Sequence, residues 1–573
     1  MDERRNGSSV LDSSHGLLHP MGVESKILYH TDNESGSSTY RESSQQCLIT
    51  THATDFATAT QYTYREEDTR QPEWTPGVRE WLVTTCISIL VMMDAFNTTV
   101  VIPLMPGLSH IFQQPLENAL WINTAYLIGN ASGQALFAML AEVLGHGPIL
   151  LSSSVLATTG TGICGGSLGL SVLVAGRFIQ GIGGGGVVGV SLLIVADLIP
   201  KSHQVQFSTY IFRAQTIGMV IGSVAGGVYH DYTTYIWAFY SSFVFCAMGL
   251  LVIPFALDLR GHGPENKLSA TSRFRTMDWI GAMLTLLGMG TILTGIGWGG
   301  TQNAWDNWQT LVPICVGGIF LIILVLYETM WAMQPMFSSR VFRDLSSTML
   351  QAGGFLHGFI LSSHLHYLPL YLIFVKSLNT TLIGLSLVAL TGLAVPALMV
   401  SGTGQVFRRP HISTWITRIG WLFTITATGC SLLLNTAIPT YGWVIIFLVA
   451  GLGSALLTLG YNLCIHVNTL RFYPGQETRE SAKVSTTSIL IYSILRTWGM
   501  CIAIPISGTI IFNYLSSKDL LDMSTGYTSR HFGAYAPQED KDAFADALQV
   551  LWKGYTAIAA LGGISSLFIR SAS

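Results

Sequence analysis

The stretch LVAGRFIQGIGGGGVVGVSLLIVADLIP, residues 173–200, is followed after a short polar break by FSTYIFRAQTIGMVIGSVAGG, residues 207–227. Each stretch is long enough to cross about 30 Å of hydrocarbon as a helix, and each contains one arginine, Arg177 or Arg213. An arginine at membrane depth costs about 2.5–3.5 kcal/mol on insertion scales, so it indicates a functional site by default. The two stretches therefore predict a membrane protein with a site inside the bilayer.

Glycine recurs at four-residue spacing in both stretches. The series are Gly181, Gly185 and Gly189 in the first, and Gly218, Gly222 and Gly226 in the second. Residues four apart share one face of a helix, and a face without side chains lets a neighbouring helix approach closely. We interpret these glycines as packing and hinge positions rather than as substrate contacts.

The composition of the whole chain supports a membrane protein with many spans. Only 11% of its 573 residues are charged and 49% are hydrophobic, whereas soluble proteins are about 25% charged. The net charge of −3 gives no support for nucleic-acid binding. The eight cysteines form no CxxC pair, and the sequence contains no GxxxxGKS/T loop and no nucleophile–base pattern. We therefore predict neither an enzyme nor a resident metal or cofactor.

A polar segment precedes the apolar part of the chain. Residues 1–78 are rich in Ser, Thr, Asp and Glu, which predicts a disordered tail, and no apolar run near the start suits a cleavable signal peptide. From Trp81 onward, apolar segments of about twenty residues recur, the length of a membrane span. The fourteen predicted segments are 81–105, 119–141, 148–168, 172–196, 207–229, 235–257, 278–298, 310–332, 350–374, 381–403, 414–436, 442–466, 484–511 and 548–570.

Lysine and arginine are concentrated in alternate connections between these segments, as they are in cytoplasmic connections of membrane proteins. This pattern predicts both termini in the cytoplasm and places Asn379-Thr-Thr381 outside. We predict glycosylation of Asn379; an unused sequon is the alternative. The predicted parts are a cytoplasmic tail 1–78, a six-helix bundle 79–257, a cytoplasmic linker 258–277, two inserted helices 278–332, and a second six-helix bundle 333–573 with an outer loop 512–547.

Two motifs in the opening stretches resemble those of the major facilitator superfamily. Arg177-Phe-Ile-Gln180-Gly181, followed by Gly183 and Gly184, resembles the fourth-helix motif R-x-x-Q-G-x-G. The run Gly218-x-x-x-Gly222-x-x-x-Gly226-Gly227 resembles the fifth-helix antiporter motif, with Ser223 where the family has proline.

Three further segments resemble the fourteen-helix drug:proton antiporter branch of that family: LVMMDAFNTTVVIP at 90–103, HYLPLY at 366–371 and RTWG at 496–499. The resemblance implies an all-α fold of two six-helix bundles plus two inserted helices, which alternates access around a site at the bilayer midplane. It implies a monomer in the plasma membrane that exports small amphipathic organic compounds, such as drugs, toxins or secondary metabolites, in exchange for protons. The polar tail resembles fungal members, and the vacuolar membrane is the alternative location.

One departure from the family leaves other functions open. AMLAEVLGHG, residues 138–147, stands where the superfamily has G-x-L-a-D-R-x-G-R-R, so Glu142 replaces the aspartate, Gly145 is retained and both terminal basic residues are absent. In the family this stretch forms the gating loop between helices two and three, and the loss of its cations predicts weaker charge pairing at this cytoplasmic gate. The alternatives are a transport-inactive sensor or scaffold, and a transporter of the same fold for siderophores or basic amino acids.

Four polar residues inside apolar segments are candidates for the proton and substrate pathway: Asp94, Arg177, Gln180 and Arg496. Asp94 lies midway along the first span, where protonation would remove a costly buried charge, so it is a proton site or a packing residue. By resemblance, Arg177 faces the central cavity; because a guanidinium keeps its proton, we expect it to influence a neighbouring carboxyl or to hold an anionic substrate group. Arg496 fits a cavity role and a structural role equally well.

Three histidines lie in the predicted ninth span, His357, His364 and His366. They suggest metal transport, but isolated membrane histidines are more often hydrogen-bonded residues that line a cavity, which is the interpretation we favour.

The proton-site hypothesis makes a direct prediction. Asp94→Asn should abolish transport driven by a pH gradient, because a carboxamide cannot take up and release the proton. The measurement is substrate flux in vesicles with an imposed pH gradient, and unchanged flux would contradict the proton site.

Overall fold

The computed structural model describes residues 46–47, 62–63, 74–257, 277–332, 335–337, 340–401, 410–472, 479–518 and 537–570. The chain divides into two units, Met1–Thr75 and Pro76–Ser573. In the first unit, β1 (Gln46–Cys47) pairs antiparallel with β2 (Tyr62–Thr63), with Gln46 opposite Thr63. The rest of the predicted tail up to residue 73, and the predicted linker up to residue 276, lie outside the described residues.

The second unit is helical. Its helices are α1 (Val78–Val100), α2 (Met105–Ile111), α3 (Leu116–Leu144), α4 (His146–Gly165), α5 (Leu170–Leu198), α6 (Lys201–Tyr232), α7 (Ile236–Ala256), α8 (Trp279–Trp298), α9 (Trp308–Met330), α10 (Leu345–Phe374), α11 (Thr380–Thr391), α12 (Ala394–Ser401), α13 (Pro410–Cys430), α14 (Thr440–Phe472), α15 (Arg479–Ser516) and α16 (Gln538–Leu567).

The predicted all-helical membrane fold is confirmed. Within the described residues, twelve helical stretches are long and apolar enough to cross a membrane, with α11 and α12 together forming one of them, Thr380–Met399. The two remaining long helices, α10 and α16, are less apolar, since α10 carries three histidines and α16 begins with the acidic stretch QEDKD. That α10 and α16 also cross the membrane, which would make fourteen spans, therefore remains a prediction.

Several boundaries differ from the sequence prediction. The outer loop expected at 512–547 is shorter, because α15 continues to Ser516 and α16 begins at Gln538. The early start of α16 has a physical reason: its acidic first turns alternate with apolar residues, and Phe544 and Leu548 are buried. The short helix α2 lies where a loop was expected; Pro106 in its first turn suits a helix start.

The helices pack in two groups. In the first, α5 lies against α3 and α4, and α1 lies against α6 and α7; in the second, α10 packs on α15 and α16, and α13 packs on α14. The pair α8 and α9 pack mainly on each other, and α8 also contacts α3 and α15. Contacts of α3 with α15 and of α6 with α11 join the two groups, so polar residues on α3 and α6 lie between them.

Two series of glycines set the closest helix contacts in the first group. A Cβ at Gly181, Gly185 or Gly189 of α5 would collide with the carbonyl groups of Tyr126, Asn130 and Gln134 of α3, respectively. In the same way, Gly218, Gly222 and Gly226 of α6 face the carbonyls of Met92, Phe96 and Val100 of α1. On both partners the contacts recur every four residues, so two backbones run side by side for several turns.

A matched pair of substitutions tests this packing. Gly218→Ala places a methyl group on the Met92 carbonyl and should lower the free energy of unfolding by about 1–3 kcal/mol, the usual cost of overpacking. Gly290→Ala on α8 meets no atom within 4 Å, and should be neutral or stabilising because alanine is the better helix former. Melting of the purified protein in detergent measures both; equal melting of the two variants would contradict the close approach.

Candidate functional site

Asp94 lies at the centre of a buried polar network. It is only 3% exposed, and its Oδ1 accepts hydrogen bonds from the Tyr126 hydroxyl at 2.5 Å and the Asn130 amide at 2.6 Å. Both donors come from one face of α3, four residues apart. Gly184 of α5 lies opposite, where any side chain would collide with the Asp94 carboxylate.

Arg177 is fully buried beside this carboxylate, with its hydrogen-bonding capacity engaged. Its guanidinium donates to the Asn97 carbonyl at 2.8 Å, to Asn123 Oδ1 at 2.9 Å, to Gln180 Oε1 at 2.7 Å and, through Nε, to the Ile122 carbonyl at 3.3 Å. Gln180 in turn donates to Thr161 Oγ1 at 2.8 Å, which ties α5 to α4.

Tyr126 connects the two charges. Its hydroxyl is bonded to Asp94, and its ring centroid lies 4.1 Å from the Arg177 guanidinium. A cation over an aromatic face is attracted by the ring quadrupole. The arginine therefore acts on the carboxylate through one intervening side chain, and no described residue forms a direct ion pair with Asp94.

Two hydrogen-bond chains lead from this network to the second group of helices. Asn123 Nδ2 lies 2.8 Å from His366 Nε2 on α10, and His366 Nδ1 lies 2.7 Å from the Ser362 carbonyl. Since a carbonyl only accepts, Nδ1 carries the proton and Nε2 accepts from Asn123. On the other side of Asp94, Gln134 Nε2 bonds to Asn130 Oδ1 and to Thr497 Oγ1 of α15, each at 2.9 Å.

Arg496 lies apart from this network, at a small cavity between the two helix groups. The cavity is lined by Gln215, Thr216 and Met219 of α6 and, among residues of the second group, by Thr391, Ser454 and Arg496. Arg496 is 6% exposed, and its Nε has no hydrogen-bond partner in the described part of the chain. Of the four predicted pathway residues, the structure thus brings Asp94, Arg177 and Gln180 together, while Arg496 lines a separate space.

The three histidines of α10 have different surroundings. His357 Nε2 lies 3.2 Å from Ser454 Oγ, the ring of His364 stacks on Trp552 at 5.4 Å, and His366 bonds to Asn123. Among the described residues no group of three His, Cys, Asp or Glu side chains is placed to hold a metal ion.

The stretch expected to form a gating loop is helical except at one residue. Glu142 lies in the last turn of α3, because apolar residues continue to Leu144, and Gly145 has φ +94°, which glycine adopts at little cost. His146, at the start of α4, places Nε2 3.4 Å from the Asp197 carboxylate near the end of α5. This contact occupies the place where the family motif carries basic residues.

Two other sequence features lie on α6 and α11. Ser223, which replaces the motif's proline, donates to the Met219 carbonyl at 2.8 Å, and α6 runs through without a break. Asn379 is exposed just before α11, while Thr381 of its sequon donates from its N–H and hydroxyl to Asp231 Oδ2, both at 2.7 Å. Gly227 faces the Thr380 carbonyl, so α6 and α11 meet closely here.

Sequence reasoning missed Tyr126 and Asn130, the two donors to Asp94. A signal was present, since Asn123, Tyr126, Asn130 and Gln134 recur at spacings of three and four along an apolar segment. Such spacing places polar residues on one helix face.

Comparison with known proteins assigns the fold. The profile of the family described as Major Facilitator Superfamily matches residues 87–504. The chain belongs to the major facilitator superfamily. It is therefore a multi-pass membrane transporter of small molecules.

Curated relatives of this superfamily member match it over most of their length. "MFS transporter L2" of Phoma sp. is 25% identical, covering 86% of this chain and 82% of the relative. "Efflux pump FUS6" of Gibberella fujikuroi is 25% identical over 86% and 90%, and "MFS efflux transporter aclA" of Aspergillus oryzae is 24% identical over 86% and 89%.

Solved structures share the fold at low sequence identity. The human organic anion transporter MFSD10 (TETRAN) superposes with a TM-score of 0.53 at 15% identity, covering 86% of this chain and all of that one. A bacterial homologue of the human lysosomal transporter Spinster, in an inward-facing unoccupied conformation, has a TM-score of 0.51 at 13% identity, covering 86% and 98%.

The network around Arg177 predicts that a positive charge alone at this position does not support normal transport or stability. Arg177→Lys keeps the cation, but an ammonium has three donors and no planar fork, so it cannot reach all four acceptors. Since hydrogen bonds to charged groups are worth about 1.5–3 kcal/mol each, the loss should lower transport at least about tenfold and lower the melting temperature.

The matched control is Arg418→Lys on α13, where a half-buried guanidinium makes one hydrogen bond, to the Ile569 carbonyl at 3.5 Å. This variant should behave as wild type. If Arg177→Lys also matched wild type in flux and melting, the network would have no role.

Proposed function

We propose that this transporter exports small amphipathic organic compounds in exchange for protons. The match to relatives named efflux pump FUS6 and MFS efflux transporter aclA, over 86% of this chain, supports export as the direction. The fold supports alternating access around a site between the two helix groups. We further propose that it acts as a monomer in the plasma membrane, with the vacuolar membrane as the alternative.

The burial of the Asp94 carboxylate among neutral donors is the observation that supports proton coupling. Its carboxylate is buried at membrane depth and is held by two neutral donors rather than by a direct cation. Such a group is costly when charged and less so when protonated, so a change in its access to water changes its proton occupancy. The hydrogen-bond chains to His366 and Thr497 depend on how the two helix groups meet, which gives a route from proton binding to conformation.

The energy available from one proton is adequate for export. A proton that descends 100 mV yields about 2.3 kcal/mol, which sustains roughly a fifty-fold concentration ratio of a neutral solute exchanged one for one.

The test begins with untargeted profiling of metabolites inside cells and in their medium, in strains with the gene, without it, and with Asp94→Asn. The first strain should export at least one amphipathic compound that the other two retain. Counterflow of that compound in vesicles, measured in both directions, should follow an imposed proton gradient.

Each other result identifies a different function. Export that continues with Asp94→Asn contradicts proton coupling, and so does a flux that does not change with the imposed proton gradient. Net gradient-driven uptake of a siderophore or basic amino acid contradicts export. Binding without flux supports a transport-inactive sensor or scaffold, the alternative that the absence of basic residues at 146–147 motivates.

A further inference from the structure

The cavity between the two helix groups contains a buried cation that has no anionic partner in the described part of the chain. Arg496 is 6% exposed, its Nε has no hydrogen-bond partner, and no described carboxylate forms an ion pair with it. It is also the only charged residue among those that line the cavity. A buried charge is costly unless it is paired, so this position favours any anion that enters.

Comparison with the other arginines shows what is unusual about this one. Arg177 is fully buried, but four acceptors and the Tyr126 ring surround it. Arg418 also has an unpartnered Nε, but it is half-buried and lies over the Trp415 ring, away from the cavity. Arg496 alone of these three combines burial, an unpartnered donor and a position on the cavity wall.

The rest of the wall has two kinds of surface. The polar residues Thr391, Ser454 and Thr458 line it together with Arg496, and Met219, Leu361 and Leu390 are its apolar lining residues. The cavity has a volume of about 10 Å³ in this conformation, the room of about one water molecule. A ligand that matches this wall has an anionic end, some hydrogen-bonding capacity and an apolar body, and it enters only when the two helix groups are farther apart.

We propose that Arg496 binds a carboxylate of the transported compound, which makes amphipathic organic acids the substrate class of this transporter. The inference rests on the proposed export function. A guanidinium offers two parallel N–H donors that match the two oxygens of a carboxylate.

The position of the cavity also couples substrate binding to the relative movement of the two helix groups. Its wall combines Met219 and its neighbours on α6 with Arg496 on α15, so one bound acid touches both helix groups. Neutralising the cation removes the cost of a buried charge at the moment when the two groups close on the ligand.

The experiment extends the metabolite profiling to Arg496→Gln, Arg496→Lys and the control Arg418→Gln. Compounds that are exported only by cells containing this transporter should be retained on an anion-exchange column at pH 7. Their export should fall at least about tenfold with Arg496→Gln, the loss expected for one charge-assisted contact, less with Arg496→Lys, and not at all with Arg418→Gln. Abundance and size-exclusion profiles of the variants are compared with wild type.

A measurement on the wild-type protein keeps the test independent of how the variants fold. In vesicle counterflow, each exported acid is compared with its methyl ester, which keeps the body and removes the charge; the ester should be transported at least about tenfold more slowly. Equal transport of acid and ester contradicts carboxylate binding by Arg496, and so do exported compounds that are not retained on the anion-exchange column. Neither result contradicts the export function. If no compound requires this protein for its export, the proposed export function is contradicted.

Discussion

The close approach of backbones at the two glycine series is the constraint on which the site depends. Along α5 the missing side chains let the backbone rest on the carbonyls of Tyr126, Asn130 and Gln134. These are the residues whose side chains bond to Asp94 or continue that chain of bonds. Along α6 the second series does the same for α1, which carries Asp94. Without these glycines α5 could not lie this close to α3, nor α6 to α1, and a side chain at Gly184 of α5 would displace the Asp94 carboxylate.

Arg177 and Arg496 suit different tasks because their surroundings differ. Arg177 is saturated with neutral acceptors and acts on Asp94 through Tyr126, so it suits a fixed element of the proton site. Arg496 has donors to spare and faces the cavity. The separation places the proposed proton and substrate sites in different spaces, joined through the contacts of α3 with α10 and α15. Such an arrangement couples two ligands without direct contact between them.

Much of the fold follows from local patterns. A twenty-residue apolar run favours a helix in a bilayer, because a helix satisfies every backbone group within the segment itself. The runs therefore predicted the helices closely, and errors occurred at helix ends, as at Ser516 and Gln538, and at Glu142, where motif analogy suggested a loop. Asp94, Arg177 and Arg496 stood out as candidates because charges in apolar segments are rare.

The sequence by itself determined that the chain is a helical membrane protein, which residues carry its buried charges, and where its helices can approach closely, since length, polarity and glycine spacing are local properties. Only the tertiary structure decided that Tyr126 and Asn130 hold Asp94, that His366 meets Asn123, and that Arg177 is satisfied while Arg496 is not. These contacts join residues far apart in the chain. They depend on the rotation and register of packed helices, which no single segment encodes.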